Sequence, residues 1–220
     1  MREYWNKNKW MMLITSAVIL LPILGGVLLW DKLPDTGIPF HWGINGEVDG
    51  WVSKPVAVFL MPLVLLAVQW LCFFLTRLDP KHKNKAPKML GLVLWIIPVL
   101  NLLLNVMVYI AALDRRVDVS VVIPLFFGAL FVVIGNYLPK CEPSYTMGIK
   151  LPWTLENEQN WRATHRVAGW LWVVGGLLMM PCTLLPPAVC FAVMMGLLVV
   201  MCAIPTVYSY RYYKKHKQDE

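Results

Sequence analysis

The chain has 220 residues, 58% of them hydrophobic and only 15% charged, with a formal net charge of +7 and five cysteines. Soluble domains carry about a quarter charged residues, so this balance excludes an ordinary soluble globular protein and points to the membrane class. A helix crossing the hydrocarbon core needs about 20 mostly apolar residues, because lipid leaves backbone polar groups unsatisfied.

Six stretches meet that requirement: approximately Trp10–Trp30, Pro55–Thr76, Met89–Leu113, Val119–Leu138, Val167–Leu185 and Pro187–Tyr208. The expected fold is an all-α integral membrane protein of six transmembrane helices. Leu29-Trp30-Asp31-Lys32 is a poor cleavage site, so the first stretch reads as an uncleaved anchor. Sixteen of the twenty Lys and Arg residues fall in the N-terminus, the 77–88 and 138–166 loops and the tail. Cations are retained on the cytoplasmic side, so both termini are expected inside and the 38–54 loop outside. The run Lys81-His82-Lys83-Asn84-Lys85 then reads as a lipid-facing loop, and no direct nucleic-acid binding is expected. Four cysteines lie in spans and Cys141 in an inner loop. That pattern offers no disulfide framework and no metal-binding pair, and neither a metal nor another cofactor is expected.

After the first span comes Ile38-Pro39-Phe40-His41-Trp42-Gly43-Ile44-Asn45-Gly46-Glu47-Val48-Asp49-Gly50-Trp51-Val52-Ser53-Lys54. A plain tether needs no such chemistry. Asn45-Gly46 and Asp49-Gly50 are both turn dipeptides, so the segment is expected to fold as a short aromatic ribbon, a lid over the helices. Ser53 is a candidate cap where Lys54-Pro55 opens the second helix. His41, Glu47 and Asp49 are the candidates for a metal or proton-transfer group, but their spacing matches no established metal motif. The favoured reading is structural, with Asp49 bonding turn amides and His41 an aromatic or lysine-side partner.

Within the spans the notable polar residues are Gln69, Asn101, Asn105 and Asn136. Asn101 and Asn105 share a helix face after a kink expected at Pro98; they read first as interhelical hydrogen-bond contacts, second as a substrate path. Gly25-Gly26 and Gly175-Gly176 suit close helix packing.

A second unusual loop is expected inside, at 139–166. It carries Gly148-Ile149-Lys150-Leu151-Pro152-Trp153-Thr154-Leu155 and Trp161-Arg162-Ala163-Thr164-His165-Arg166. Thr154 reads as the cap of a helix running unbroken into the fifth span, with Glu158–Arg162 and Trp161–His165 pairs on it. Trp153 and Trp161 are expected at headgroup depth, with Lys150, Arg162 and Arg166 reaching toward phosphates. Two readings stand side by side: an interfacial anchor helix, or a docking surface or gate.

The outer run, from Ile38-Pro39 through His41-Trp42-Gly43, Asn45-Gly46 and Asp49-Gly50-Trp51 to Lys54, resembles the N-terminal domain of unknown function of the SdpI family. The inner run Gly135-Asn136-Tyr137, Gly148 through Leu155, Trp161 and Thr164-His165-Arg166 resembles that family's C-terminal domain. Two positions depart from the family pattern. It commonly reads Gly-Ile-Arg-Thr-Pro-Trp where this chain has Lys150-Leu151, and an asparagine ahead of it is Ser144 here. A lysine cannot reproduce an arginine's bidentate contact.

The resemblance implies an N-terminal membrane domain (1–90), a linking third helix (91–118) and a C-terminal domain (119–220). It implies a non-enzymatic protein of the bacterial cell membrane that gives immunity to a secreted membrane-active toxin peptide, with capture of a transcriptional repressor inside. The outer loop would meet the toxin through Pro39, His41, Trp42, Gly43, Gly46, Glu47, Asp49, Trp51 and Lys54. The inner partner or gate surface would use Asn136, Gly148, Lys150, Pro152, Trp153, Thr154, Trp161, Thr164, His165 and Arg166. The alternative is a small transporter or lipid-handling protein, since a loop after the first span of each half suits an inverted repeat. A metal-dependent membrane enzyme ranks last.

Overall fold

The computed structural model describes the backbone of residues 2–80 and 87–217 and the side chains of residues 8–80 and 90–216. The basic run at 81–85 lies outside the described residues. Seven helices are described, α1 (Arg2–Leu28), α2 (Met61–Leu78), α3 (Pro87–Ala112), α4 (Val119–Tyr137), a short α5 (Pro152–Glu156), α6 (Glu158–Met179) and α7 (Pro187–Lys217). Between α1 and α2 lies a hairpin of β1 (Ile38–Trp42) and β2 (Val48–Val52). A single π-helical turn, Val56–Leu60, leads into α2.

Six stretches are long and apolar enough to cross a membrane: Asn8–Leu28, Val56–Leu78, Leu90–Ala112, Val119–Lys140, Glu158–Leu184 and Pro187–His216. The protein is an all-α multi-pass membrane protein with a small ribbon. The fifth helix begins well before the Val167 expected from hydropathy. Its first turns carry Asn160, Thr164 and His165, which lower the hydropathy but are fully buried and bonded within the protein. Asn157, in extended conformation, separates it from α5, so the helix does not run unbroken from Leu155.

The chain forms two compact units, 1–77 with 90–118, and 78–89 with 119–220. In the first, α1 runs antiparallel to α2 and parallel to α3, and side-chain hydrogen bonds tie the three together. Gln69 donates to the Thr15 hydroxyl at 2.7 Å, Asn101 to the Ile19 carbonyl at 2.8 Å, and Tyr109 to the Pro22 carbonyl at 2.9 Å. Asn105 donates back to Asn101 at 2.9 Å. The interior amides are thus interhelical contacts of the kind worth about 0.6 to 2 kcal/mol in a bilayer. Gly26 makes the Tyr109 bond geometrically possible, since a Cβ there would fall 2.6 Å from the Tyr109 hydroxyl. Met12, Phe73, Leu90 and Leu94 close one end of the unit.

In the second unit α4 and α6 meet along their main chains. A Cβ on Gly128 would lie 2.7 Å from the Gly176 carbonyl oxygen, and one on Gly176 would lie 2.5 Å from that of Gly128. Gly135 and Gly169 repeat the reciprocal contact at 2.8 Å each way. The glycines recur at seven residues on both helices, so one face of each carries them into an antiparallel seam. Gly175 and Trp172 face α7, where the Trp172 indole donates to the Met201 carbonyl at 3.2 Å.

Gly176→Val pushes a branched side chain into the Gly128 carbonyl, and a loss of about 1–3 kcal/mol is expected from such overpacking. Gly196→Ala, where nothing lies within 4 Å of the new Cβ, is expected to be neutral or mildly stabilising. Equilibrium unfolding of the two purified variants in micelles distinguishes a seam from incidental glycines.

Candidate functional site

The hairpin pairs Ile38 with Val52, Pro39 with Trp51, His41 with Gly50 and Trp42 with Val48, with register shifts around His41. One side of it is greasy and seated. Ile38 is fully buried, and Phe40, Trp42 and Val52 pack with Leu33, Ala57, Val58, Val108, Tyr109 and Ala112. That side closes the end of the first unit's helices, as expected of a lid. The tip is a turn in which the Gly46 amide donates to the Gly43 carbonyl at 2.9 Å and the Gly43 amide to Glu47 at 2.8 Å. Gly46 sits at φ +78°, where a side chain is strained.

The other side faces away from the protein. His41 Nδ1 and Asp49 Oδ1 are 2.5 Å apart, with the side chains 73% and 53% exposed. Trp51 beside them is 57% exposed, as is Ile44 at the tip. Asp49 therefore does not bond turn amides; it pairs with the histidine across the ribbon. Asp49-Gly50 is not a second turn either. A Cβ on Gly50 would come 2.9 Å from His41 Cβ, and one on Gly43 would come 2.8 Å from Asp49 Oδ2. The two glycines clear the space in which the pair forms. Glu47 does not join it, and among the described residues no group of three His, Cys, Asp or Glu side chains is placed to hold a metal ion.

Lys54 has a different place from its neighbours in the motif. It is only 6% exposed, and its ammonium donates to the Trp30 carbonyl at 2.9 Å and to Asp35 at 2.8 Å while lying 5.1 Å from the Trp30 ring centre. Its backbone amide bonds Asp35 as well, at 3.1 Å. Lys54 thus pins the chain entering the ribbon to the chain leaving it. The Lys54 hydrogen bond, then its charge, hold the exposed Asp35 carboxyl below its ordinary value. Ser53 contributes its carbonyl, accepting from the Ala57 amide at 3.0 Å.

The inner motif folds around two buried groups. The first is the Trp161–His165 pair on α6, whose rings stack at 4.1 Å. The Ile149 amide donates to His165 Nε2 at 2.9 Å, which requires a lone pair there, so Nδ1 carries the proton and donates to the Trp161 carbonyl at 2.8 Å. Gly148 lies against the ring at φ +97°, and a Cβ on it would sit 2.5 Å from Nε2. The Trp161 indole donates to the Cys141 carbonyl at 2.8 Å. Trp161 is wholly buried, and its N–H serves the loop.

Thr154 is also buried. Its hydroxyl accepts from the Leu151 amide at 3.0 Å and lies 2.9 Å from the Ile149 and Leu151 carbonyls. It closes the loop onto the five-residue α5; the cap of the long helix is Asn157, which accepts from the Asn160 amide at 2.8 Å. Trp153 donates to the Ser209 hydroxyl at 3.0 Å and packs on Tyr210 and Tyr213 of α7. Thr164 donates to Asn160, which donates in turn to the Ser209 carbonyl, both at 3.0 Å. Lys150, Pro152, Arg166 and Asn136 are exposed. The Glu158–Arg162 pair forms at 2.6 Å on the same outer surface.

The second buried group was not among the residues singled out from sequence. Asp79, 5% exposed, accepts at one oxygen from the Ser144 hydroxyl and from the Tyr145 and Thr146 amides.

Residues 140–209 match the SdpI/YfhL protein family, and residues 17–66 match a domain of unknown function (DUF1648). The chain thus matches these two family models in separate parts. It is 29% identical over 208 residues to Immunity protein SdpI of Bacillus subtilis (strain 168), covering 92% of this chain and 96% of that relative. No solved structure matches it. The 17–66 match contains the hairpin and the 140–209 match the inner loop, whereas Gln69, Asp79, Asn101 and Asn105 lie between them. The motif residues therefore divide into a buried set that shapes each loop and an exposed set that each loop presents.

Lys54→Met keeps the apolar stem but removes both ammonium bonds, and is expected to lower the thermal midpoint more than Asp35→Asn does. A depressed folded-state pKa stabilises above the unfolded value and is lost as pH falls through the folded one. The gap in thermal midpoint between wild type and Asp35→Asn is therefore expected to close as pH drops below the ordinary carboxyl value of 3.8.

Proposed function

We propose that this chain protects a bacterial cell against a secreted membrane-active peptide, as a non-enzymatic immunity protein. The observation that carries this is the two-sided ribbon: one side sealed on the helices, the other offering His41, Asp49, Trp51 and Ile44 outward. An exposed pair of this kind contributes little to stability, about 0–1 kcal/mol. A large exposed indole beside a polar pair is the composition of a binding anchor. The similarity to an immunity protein over nearly the whole chain supports the same reading.

By the distribution of lysine and arginine, both termini and the inner loop face the cytoplasm, and the ribbon faces outward. Lys150, Pro152, Arg162 and Arg166 then form a basic surface for a cytoplasmic partner, a transcriptional repressor by family resemblance. A second reading rests on the division into two units. Each contains three spans, and in each the motif loop follows the first span, an arrangement suited to a transporter built from inverted repeats.

Susceptible cells expressing the chain, challenged with a panel of secreted membrane-active bacterial peptides, test the proposal. Wild type is expected to raise tolerance of at least one peptide. Trp51→Ala and the double variant His41→Ala with Asp49→Asn are expected to remove most of that gain at unchanged membrane levels. Tolerance that is indifferent to all three positions removes the ribbon from the mechanism, and substrate flux in proteoliposomes without any tolerance favours the transporter.

A further inference from the structure

Asp79 directly follows α2 in the chain and belongs to the C-terminal unit. The partners described for its carboxylate are distant in sequence. Sixty-five residues later, the chain from Ser144 to Thr146 wraps around its Oδ2: the Ser144 hydroxyl at 2.5 Å, the Tyr145 amide at 2.7 Å, the Thr146 amide at 3.1 Å and the Thr146 hydroxyl at 3.1 Å. The Ser144 hydroxyl also receives the Met147 amide at 3.1 Å, so consecutive amides converge on one small volume. Successive backbone N–H groups turned inward form a concavity that suits an anion. Here an anion of the protein's own fills it.

The next residues are those the inner motif presents and anchors. Gly148 is pressed against His165, the Ile149 amide is held by that ring, and the Lys150 ammonium lies 3.4 Å from the Thr146 carbonyl. The segment from Met147 to Lys150 is therefore fastened at both ends, by Asp79 before it and by His165 and Thr154 after it. Releasing the first fastening leaves the Ser144 hydroxyl and the Tyr145 and Thr146 amides without this acceptor. We infer that Asp79 is a positioning residue: its carboxylate is the built-in ligand of an anion cradle at Ser144–Thr146, and it sets the conformation in which the inner loop shows Lys150 and its neighbours.

The inference about conformation stands on geometry alone, and only its consequence for a partner rests on the function proposed above. Cys141 provides a native reporter. It lies in the same loop, 5% exposed, with its thiol directed toward the Met147 carbonyl, and burial, then the charge of Glu142, push its pKa up to about 11. A folded loop thus keeps it unreactive twice over, by access and by protonation.

The experiment follows maleimide labelling of Cys141 in the full-length protein in nanodiscs, with the modified residue located by mass spectrometry. Asp79→Ala is expected to speed labelling of Cys141 by about tenfold, and Asp79→Asn, which keeps one acceptor oxygen, by less. Sodium acetate, but not sodium chloride of equal ionic strength, is expected to slow the Asp79→Ala reaction back toward wild type by refilling the cradle. Should Asp79→Ala fail to accumulate, Ser144→Ala with Thr146→Val removes donors, leaves the carboxylate and is expected to accelerate labelling in the same way. Labelling as slow as wild type in these variants overturns the positioning role, and acceleration that acetate does not reverse overturns the cradle. Faster labelling with full peptide tolerance upholds Asp79 and counts instead against a part for the inner surface in immunity.

Discussion

Lipid offers no hydrogen bonds, and most of the structure follows from that one constraint. Polar groups placed within a span seek a partner on another helix or on their own turn, and among the described side chains Ser16 Oγ and Gln69 Oε1 are buried without one. Thr15, the Gln69 amide nitrogen, Asn101 and Tyr109 find theirs by joining α1 to α2 and α3, and Asn105 bonds Asn101 within α3. In α6 the same demand is met by Asn160, Thr164 and His165, which reach Ser209, one another's turn and the inner loop. The polar residues that lower the apolar character of a span are thus the ones that assemble it.

Both motif loops obey a related rule at the ends of the helices. A segment that leaves the bilayer and returns must satisfy its own backbone or lean on side chains that do so. The outer one solves this with a ladder and seats its apolar side on the helices. The inner one, which has no ladder, is organised by side chains: an imidazole, a threonine hydroxyl and a carboxylate each take up amides that would otherwise be unpaired. Consequently the most buried polar side chains of each loop are its scaffold, and the exposed residues are free to meet something else. Lys54, Thr154, Trp161 and His165 belong to the first kind, and His41, Asp49, Trp51 and Lys150 to the second.

Spans and ribbon were legible because their signals are local. Runs of apolar residues identify helices, and Asn45-Gly46 between aromatic residues identifies a hairpin. Asp49-Gly50 misleads for a physical reason: a glycine wanted for steric room across a ladder looks the same as one wanted for a turn. Hydropathy also delays the start of the fifth helix, since it counts Asn160 and His165 as polar without knowing that they are satisfied. Nothing local to Trp161 marks that its indole serves the Cys141 carbonyl. Asp79 is the hardest to find, because its partners are 65 to 67 residues away and nothing local marks it beyond a lone carboxylate at the end of an apolar run. The seam on α4 and α6 was partly visible in Gly175-Gly176, but its signal is the seven-residue recurrence Gly128, Gly135 and Gly169, Gly176.

That seam has a consequence for how the protein yields under load. Side-chain bonds such as those of Asn101 and Asn105 can exchange partners by a change of rotamer, so the helices they join have alternative states separated by a bond or two. Contact between main chains has no rotamer to change. The α4–α6 pair admits either its present register or separation, and it behaves as a single block. Rearrangement within the first unit therefore costs an exchange of side-chain partners, whereas within the second it requires α4 and α6 to part.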